Sequence, residues 1–452
     1  MREEIANRVD YLNRLFQAKK FSFYSGMIDD LKSPDIAEVI SGLDREHRLE
    51  FFASLDLDIK AEVIPLLDRG IVEEILENLE PDEIAAYVNR MASDDAADMI
   101  NLLQPEIVHL VLERVSRKDY RDLIALLRFD EESAGGIMAR EFLVAGKDIT
   151  IAEAMKIVRE RKDQVEHLHT LYIVDSEGIL LGGIPVISLI IEEPDTVVSE
   201  VMNTDIEKVT ADVDQEKVAA IFRKYDLYSL AVIDGRGKLV GRITVDDIMD
   251  IIEEEANEDI SHLAGTGEEE FWQKSPVKLS RSRMPWLIAG LAGGIAVAII
   301  MNSFRGALES VISLAFFVPV IMAMGGNVGI QSSAIVVREL ASEDFSFMET
   351  GRKIVRELKV SLINGSLLGL ILFIVVFIWF RDIHLGILVG SCLLFIVVWA
   401  TLIGTAVPLL FHRINVDPAL ATGPFITTFN DIMGVLVYLA MATIMLRWVM
   451  PS

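Results

Sequence analysis

Asp431 is a carboxylate in a stretch that ought to exclude one. The run from Leu420 to Leu446 reads Leu420-Ala-Thr-Gly-Pro424-Phe-Ile-Thr427-Thr428-Phe-Asn430-Asp431-Ile-Met-Gly434 and stays apolar beyond. It has about 27 residues, more than the ~20 a helix needs to cross ~30 Å of hydrocarbon. Counted as one helix at ~1.5 Å per residue, it puts Asp431 ~17 Å from Leu420, near mid-membrane. An ionised carboxylate there costs roughly 2.5–3.5 kcal/mol, so it belongs in a bundle interior or on a watery path. Two chemistries fit. One is a buried Asp that is protonated or hydrogen-bonded to a neighbouring helix, and the other is a cation site inside a membrane pathway. No Cys or His accompanies Asp431 and Met433 is the nearest soft donor, which disfavours a soft transition metal. A hard divalent ion that keeps most of its water and takes one or two carboxylates, as magnesium does, suits the stretch better.

A second acidic feature lies far upstream, in Asp246-Asp247-Ile-Met-Asp250-Ile-Ile-Glu253-Glu254-Glu255-Ala-Asn-Glu258-Asp259. At ~100° per residue Asp247, Asp250, Glu254 and Glu258 share a sector of ~80°, with Ile248 and Ile252 on another side. Like charges on one helical face repel unless cations or distant partners neutralise them. The wider charge distribution points the same way. The 452 residues carry a net charge of −27, but residues 281–452 hold 11 Lys+Arg against 9 Asp+Glu, which leaves −29 for the first 280. An acidic half of this kind repels nucleic acid and anionic lipid and attracts cations. The single cysteine, Cys392, allows no intrachain disulfide. The start, Met1-Arg-Glu-Glu4, lacks a signal-peptide core, so the long N-terminal region is expected in the cytoplasm.

Three kinds of element must position these acids. Residues 31 to 127 repeat with a 12-residue period at Leu31, Leu43, Leu55, Leu67, Leu79, Met91, Leu103, Val115 and Leu127. Asp44, Asp56, Asp68, Glu80 and Gln104 follow as helix starts, and Pro34, Pro81 and Pro105 suit first turns. Short stacked helices in a superhelix are the expectation, with an irregular bundle as the alternative. Next, Leu171-Tyr-Ile-Val-Asp175-Ser-Glu-Gly178 returns 59 residues later as Leu230-Ala-Val-Ile-Asp234-Gly-Arg-Gly237. Each copy is a strand, an acidic-glycine turn and a second strand, flanked by helices at 151–161 and 186–191, then at 215–225 and 245–252. Phe271 and Trp272 precede a basic segment, Lys274 to Arg283, as interfacial aromatics would.

Five apolar runs follow at about 286–302, 311–337, 360–380, 385–411 and 420–446. With the N-terminus inside, one face receives Arg281, Arg283, Arg338, Arg352, Lys353, Arg356, Lys359 and Arg413, and the other only Arg305, Arg381 and Arg447. That bias places the C-terminus outside, with Trp379 and Trp448 at the outer boundary. The second run holds Gly325-Gly326-Asn327-Val-Gly329-Ile-Gln331-Ser332-Ser333, whose glycines serve helix packing or pore lining equally well. No nucleophile–base constellation and no phosphate-cradling glycine loop appears, so enzyme chemistry is not expected.

The duplicated strand pairs resemble a tandem pair of CBS domains, a regulatory module whose cleft can hold adenine nucleotides. The strings Gly325–Ser333 and Asp417–Asp431, five C-terminal spans and the helical-repeat N-domain together resemble the MgtE family of magnesium channels. The resemblance implies a multidomain membrane protein: an α-helical superhelix N-domain (1–130), α+β CBS domains (131–200 and 201–250), an acidic connecting or plug helix (251–280) and a five-helix pore domain (281–452). It implies a homodimer in the cytoplasmic membrane, importing Mg2+ and closed by cytosolic Mg2+, with ATP possible at the CBS pair and no nucleic-acid partner. Asp431 matches the pore aspartate, with Asn327 and Thr427 close to the ion path. The cytosolic magnesium sites map onto Asp94 and Asp98, onto Glu216, Asp226, Asp247 and Asp250, onto Glu255, Glu258 and Asp259, and onto Asp417. Tyr225 and the basic pair Arg223–Lys224 crowd Asp226. An importer of another divalent ion such as Co2+ and a membrane-anchored nucleotide sensor are the alternative readings.

Overall fold

In the computed structural model the residues described are 31–161, 165, 167–266, 275–340, 347–414, 416–421 and 423–449. Phe271, Trp272, Lys274 and the side chain of Trp448 lie outside them. The chain divides into two compact units, one ending at Glu253 and the other starting at Glu254.

The first unit begins with α1 (Ser33–Gly42), α2 (Arg45–Ser54), α3 (Leu57–Val63), α4 (Arg69–Leu76), α5 (Pro81–Val88), α6 (Ser93–Asn101), α7 (Pro105–Leu112) and α8 (Arg117–Leu126). Every start falls 12 residues after the last, and Asp44, Asp56, Asp68, Glu80 and Gln104 occupy the N-cap positions. Pro34, Pro81 and Pro105 sit in the first turn, where a missing N–H costs nothing. Each helix is too short to bury its own face, so α1 packs on α3, α3 on α5, α5 on α7 and α6 on α8. The stacking repeats down to single bonds. Arg90 Nε meets Asp58 Oδ1 at 2.6 Å, and two repeats on, Arg114 Nε meets Asp82 Oδ1 at 2.6 Å. Deeper in, buried Arg48 donates to the carbonyls of Ile40 (3.0 Å) and Leu43 (2.8 Å) at the end of α1 and pairs with Glu74 on α4 (2.9 Å). The superhelix is the arrangement observed.

Two three-stranded sheets follow. The first holds β1 (Val144–Gly146), β2 (Thr170–Val174) and β3 (Leu180–Pro185), with α9 (Ile151–Glu160), α10 (Ser188–Ile191) and α11 (Val198–Val201) around it. The second holds β4 (Lys208–Thr210), β5 (Ser229–Ile233) and β6 (Leu239–Thr244), with α12 (Gln215–Tyr225) between its first two strands. In each the first strand is parallel to the second and the third antiparallel. The copies face each other across a local two-fold. Leu180 N donates to Gly237 O (3.0 Å), and Leu239 N, its equivalent 59 residues on, donates to Gly178 O (3.1 Å).

The expected copies, 131–200 and 201–250, lend each other short segments. Ala134 N and Gly135 N donate to Val213 O and Ala211 O, and Ala139 pairs with Arg242, so residues 133–139 belong to the second sheet's surroundings. Conversely, Asn203 of the second copy exchanges backbone bonds with Gly183 of the first sheet (2.9 and 3.0 Å). Buried Ala134 and Met138 fill the core beside Val218 and Leu230, which explains the exchange: the second sheet needs those apolar side chains on its face. The acidic helix, α13 (Val245–Ala264), starts straight from β6 and runs unbroken past the expected boundary at 250–251. Of the two isoleucines on the side away from the acids, Ile248 is buried and Ile252 is exposed.

The second unit contains α14 (Pro276–Ser303), the short α15 (Arg305–Ser310), a 3-10 turn (Ile312–Phe317), α16 (Val318–Leu340), α17 (Phe347–Phe380), α18 (Ile383–Arg413) and α19 (Pro424–Val449). Five helices here are long and apolar enough to cross a membrane, in the order expected. Helix α18 is the hub, packed against α16, α17 and α19, while α14 packs on α19. The α17–α18 crossing is possible only without side chains: a Cβ on Gly369 would stand 2.6 Å from Gly390 O, and the reverse is equally close.

Candidate metal centres

The three glycines of α16 turn out to be packing residues. A Cβ at Gly326 would stand 3.4 Å from Thr427 Cγ2 on α19, and one at Gly329 would run into the Asn430 amide. At Gly325 it would stand 3.3 Å from Ile396 Cγ2 on α18. The backbones therefore approach closely, and Asn327 and Gln331 are left on the exposed side of α16. Thr427 folds its hydroxyl back onto Gly423 O and Pro424 O, both at 3.1 Å. One turn on, Asp431 is half-buried and makes no hydrogen bond or ion pair among the described residues.

The depth of Asp431 differs from the count made on an unbroken helix. Asp417 Oδ1 accepts from Ala419 N (2.8 Å) and starts a 3-10 turn at Ala419–Ala421, and Gly423 takes a positive φ, so α19 begins only at Pro424. Asp431 then lies ~10 Å along the helix rather than ~17 Å. Beside it, Asn430 is buried with neither amide atom hydrogen-bonded among the described residues. The Asn-Asp doublet was visible in the sequence, but nothing in it distinguished the buried residue from the accessible one.

In the first unit the helical repeats dock on the CBS pair at a carboxylate cluster. Ser93, at the start of α6, donates to Glu141 Oε2 through its hydroxyl (2.7 Å), while its Oγ accepts from Arg140 N (2.8 Å). Arg140 also reaches Asp122 on α8 (2.9 Å). Next to Ser93, Asp94 is buried. Burial first, then the charges of Asp95, Asp247 and Glu141, push its carboxyl well above the usual range. Burial likewise raises Asp247, against the opposing effect of Thr244, whose hydroxyl and N–H donate to it at 2.5 and 3.2 Å. Asp250 is raised by burial, then by Glu253 and Asp246. Sequence reading missed Glu141 and Ser93, which lie 47 and more residues from the partners that give them meaning.

This crowding has a measurable sign. Asp94 has a raised folded-state value, so the stability of its protonated form is present below the unfolded value of ~3.9 and lost as pH rises through the folded one. In magnesium-free buffer, intrinsic-rate-corrected amide protection across α6 of the full-length protein should therefore fall as pH rises from about 4. Asp94→Asn should remove most of that slope and slow exchange at neutral pH. An unchanged slope would place the repulsion elsewhere.

The second unit has its own cluster. Glu258 and His262, one turn apart on α13, meet Asp417: His262 Nε2 lies 3.1 Å from Glu258 Oε1 and 3.7 Å from Asp417 Oδ2. Burial, then Asp417 and Glu258, raise the Asp259 carboxyl, and His262 opposes them. Gly265, at φ +69°, ends the helix against the first residue of α19, where an added Cβ would stand 2.6 Å from Pro424 Cγ. His262 was overlooked, although a Glu-x-x-x-His spacing on one helix is legible.

Asp98 is exposed on α6, and Glu255 is partly exposed on α13. Glu216 and Asp226 sit at opposite ends of α12, ~15 Å apart along its axis, so one chain does not bring them together. Asp226 also caps α12 in the left-handed conformation (φ +50°), which Asp tolerates better than most residues. Its bulky basic neighbours are exposed and leave its carboxylate open. The acidic donors fit a hard divalent cation: they are oxygen-only around Asp94 and Asp247, carry excess negative charge, and lie at an inter-element contact.

Comparison with known proteins agrees with this anatomy. Family models match as the MgtE intracellular N domain (residues 31–132), as CBS domains (134–189 and 198–254) and as a divalent cation transporter of the MgtE type (318–441). The chain is 34% identical over 359 residues to the magnesium transporter MgtE of Thermus thermophilus, covering 78% of this chain and 80% of that one. It is 36% identical to that of Enterococcus faecalis over 323 residues (72% and 71%) and 30% identical to that of Bacillus subtilis over 429 residues (95% of each). Among solved structures, the soluble part of a magnesium transporter aligns with TM-score 0.51 at 26% identity, covering 56% of this chain and 99% of that one. The cytosolic domain of the Mg2+ channel MgtE in complex with ATP aligns with TM-score 0.51 at 28% identity (54% and 99%). With its N-domain, CBS pair and five membrane helices all in the family's order, the chain belongs to the MgtE family of magnesium transporters.

Proposed function

We propose that this multi-pass membrane protein is a homodimeric Mg2+ channel that imports magnesium and is closed by cytosolic magnesium. The carrying observation is the pair of carboxylate clusters, Asp94 with Asp95, Glu141 and Asp247 in one unit, and Glu258 and Asp259 with Asp417 in the other. Both join elements distant in sequence, and both crowd like charges that a divalent cation stabilises together. Bound magnesium supplies the positive charge that lets these acids remain packed. Asp94 and Asp247 then hold the N-domain on the CBS pair, while Glu258, Asp259 and Asp417 hold the end of α13 at the start of α19. When cytosolic magnesium falls, repulsion loosens both contacts and frees the pore mouth. Asp98, Glu216, Asp226, Asp250 and Glu255 add weaker acidic faces to the same gauge. The proposed domains are 1–130, 131–200, 201–250, 251–280 and 281–452, with residues 133–139 exchanged onto the second CBS copy.

The N-terminal unit lies in the cytoplasm and the C-terminus outside, as eight inner against three outer basic residues favour. Asp431 is the pore acid, doubled by the dimer axis so that two carboxylates face one divalent ion, with Asn327 and Thr427 beside the path. The CBS cleft is a site for ATP by similarity to the ATP complex of a relative's cytosolic domain. Purified protein in liposomes should carry Mg2+ down its gradient and stop when magnesium is raised on the cytosolic face. Absence of flux at low magnesium on that face would overturn the reading, and competition by Co2+, Mn2+ and Ca2+ ranks it against another divalent substrate.

Assembly gives a separate test. Cys392 is buried with its thiol 3.4 Å from Met441 Sδ, so Cys392→Ala removes the background thiol at the cost of a small cavity. In that background Thr427→Cys should crosslink between chains, because two copies of α19 flank one path. A monomer that transports at full rate would exclude the dimer.

A further inference from the structure

We propose that Glu258, His262 and Asp417 form a binding site for a borderline transition metal, of the Zn2+, Co2+ or Ni2+ class, which holds the end of α13 on the start of α19. The inference rests on the reading of that contact as the gate and adds a second class of effector to it. The three residues each offer one donor atom, and these atoms lie within 4.8 Å of one another. Donors around a tetrahedral ion at ~2.0–2.1 Å stand ~3.3 Å apart. The observed separations from His262 Nε2 are 3.1 Å to Glu258 and 3.7 Å to Asp417, so small side-chain adjustments suffice.

The donors are also pre-oriented. Asp417 spends Oδ1 on the N–H of Ala419, which leaves Oδ2 toward His262. Glu258 and His262 share one helical face, and His262 sits in the last turn, held by bonds from Gly265 N to its carbonyl (3.1 Å) and from Thr266 N to Ser261 O (2.9 Å). The His262 side chain keeps only 17% of its exposure, so the nitrogen is presented to this corner and not to bulk solvent. Chemistry then separates the effectors. Magnesium prefers oxygen donors and surrenders water reluctantly, whereas imidazole with carboxylates favours later first-row divalent metals. The fourth donor position of a tetrahedral ion remains open to water or Asp259, whose carboxyl lies in the same charged neighbourhood.

The test uses the full-length protein in liposomes, with Zn2+ buffered on the cytosolic face and magnesium there held below its closing level. Wild type should close at micromolar free Zn2+. In His262→Gln the ratio of the closing Zn2+ concentration to the closing Mg2+ concentration should rise about tenfold or more, in line with the usual cost of disturbing a metal site. As an independent readout, Co2+ added to the detergent-solubilised protein should give the intense visible band of a tetrahedral nitrogen–oxygen site, lost in His262→Gln and in Asp417→Asn. An unchanged Zn2+:Mg2+ ratio, or a cobalt band that survives both substitutions, would sink the site. Wild type that ignores magnesium yet shows the band would overturn the gating reading and leave the metal site standing.

Discussion

Asp431→Ala is expected to reduce magnesium flux to the leak of protein-free liposomes while leaving the dimer folded. The side chain is half-buried, makes no hydrogen bond among the described residues, and adds little core volume. Its removal takes a carboxylate out of an apolar span, which eases insertion. Stability is therefore not where the loss falls. The loss is electrostatic: a divalent ion that crosses an apolar span with most of its water still attached needs compensating negative charge on its path. Asp431→Asn separates charge from shape, because the amide keeps the size and one acceptor oxygen. It should also lose most divalent selectivity. Uptake at the wild-type rate by both variants would show that the ion path does not depend on Asp431.

How much of this was legible in the sequence depends on how local the cause is. The 12-residue period predicted the spacing of the N-terminal helix starts, because every repeat is the same small solution to burying apolar side chains against its neighbours. The five spans were legible because length and apolarity suffice for them. The exchange of residues 133–139 onto the second CBS sheet was not legible, since Ala134 and Met138 would fill either sheet equally well on pattern alone. The start of α19 was misplaced because Leu420, Ala421 and Gly423 look apolar enough to be helical. What stops the helix is the Asp417 side chain bonding back to Ala419 and the positive φ at Gly423. At the acidic sites, composition indicated cation attraction, but the partnership of Asp94 with Glu141 and Asp247 depends on a docking between distant elements. No helical wheel contains it.

Neutralising Asp247, Asp250, Glu255 and Glu258 together, as Asn or Gln, is expected to leave the channel conducting at cytosolic magnesium levels that shut the wild type. The amides keep shape: Asp247→Asn can still accept from the Thr244 hydroxyl, which is 2.5 Å away. What disappears is the differential affinity of the closed arrangement for magnesium, and a ligand shifts an equilibrium only through such a preference. A tenfold preference is ~1.4 kcal/mol per site, so about four bridging ions supply the ~5.5 kcal/mol that moves 1:99 to 99:1. Several weak sites give a steep response near the prevailing concentration, whereas a single tight one would stay filled and sense nothing. Deleting residues 1–130 should act in the same direction, because it removes Asp94, Asp95 and their contact with Glu141 and Asp247. That deletion also bares apolar surface, since buried Leu123 and Leu126 share a core with Ala134 and Met138, so the fourfold neutralisation is the cleaner experiment. Single substitutions should each shift the closing concentration modestly and add up to the combined effect if the sites act independently. If the fourfold variant closes at the same magnesium concentration as wild type, the gauge lies in other residues.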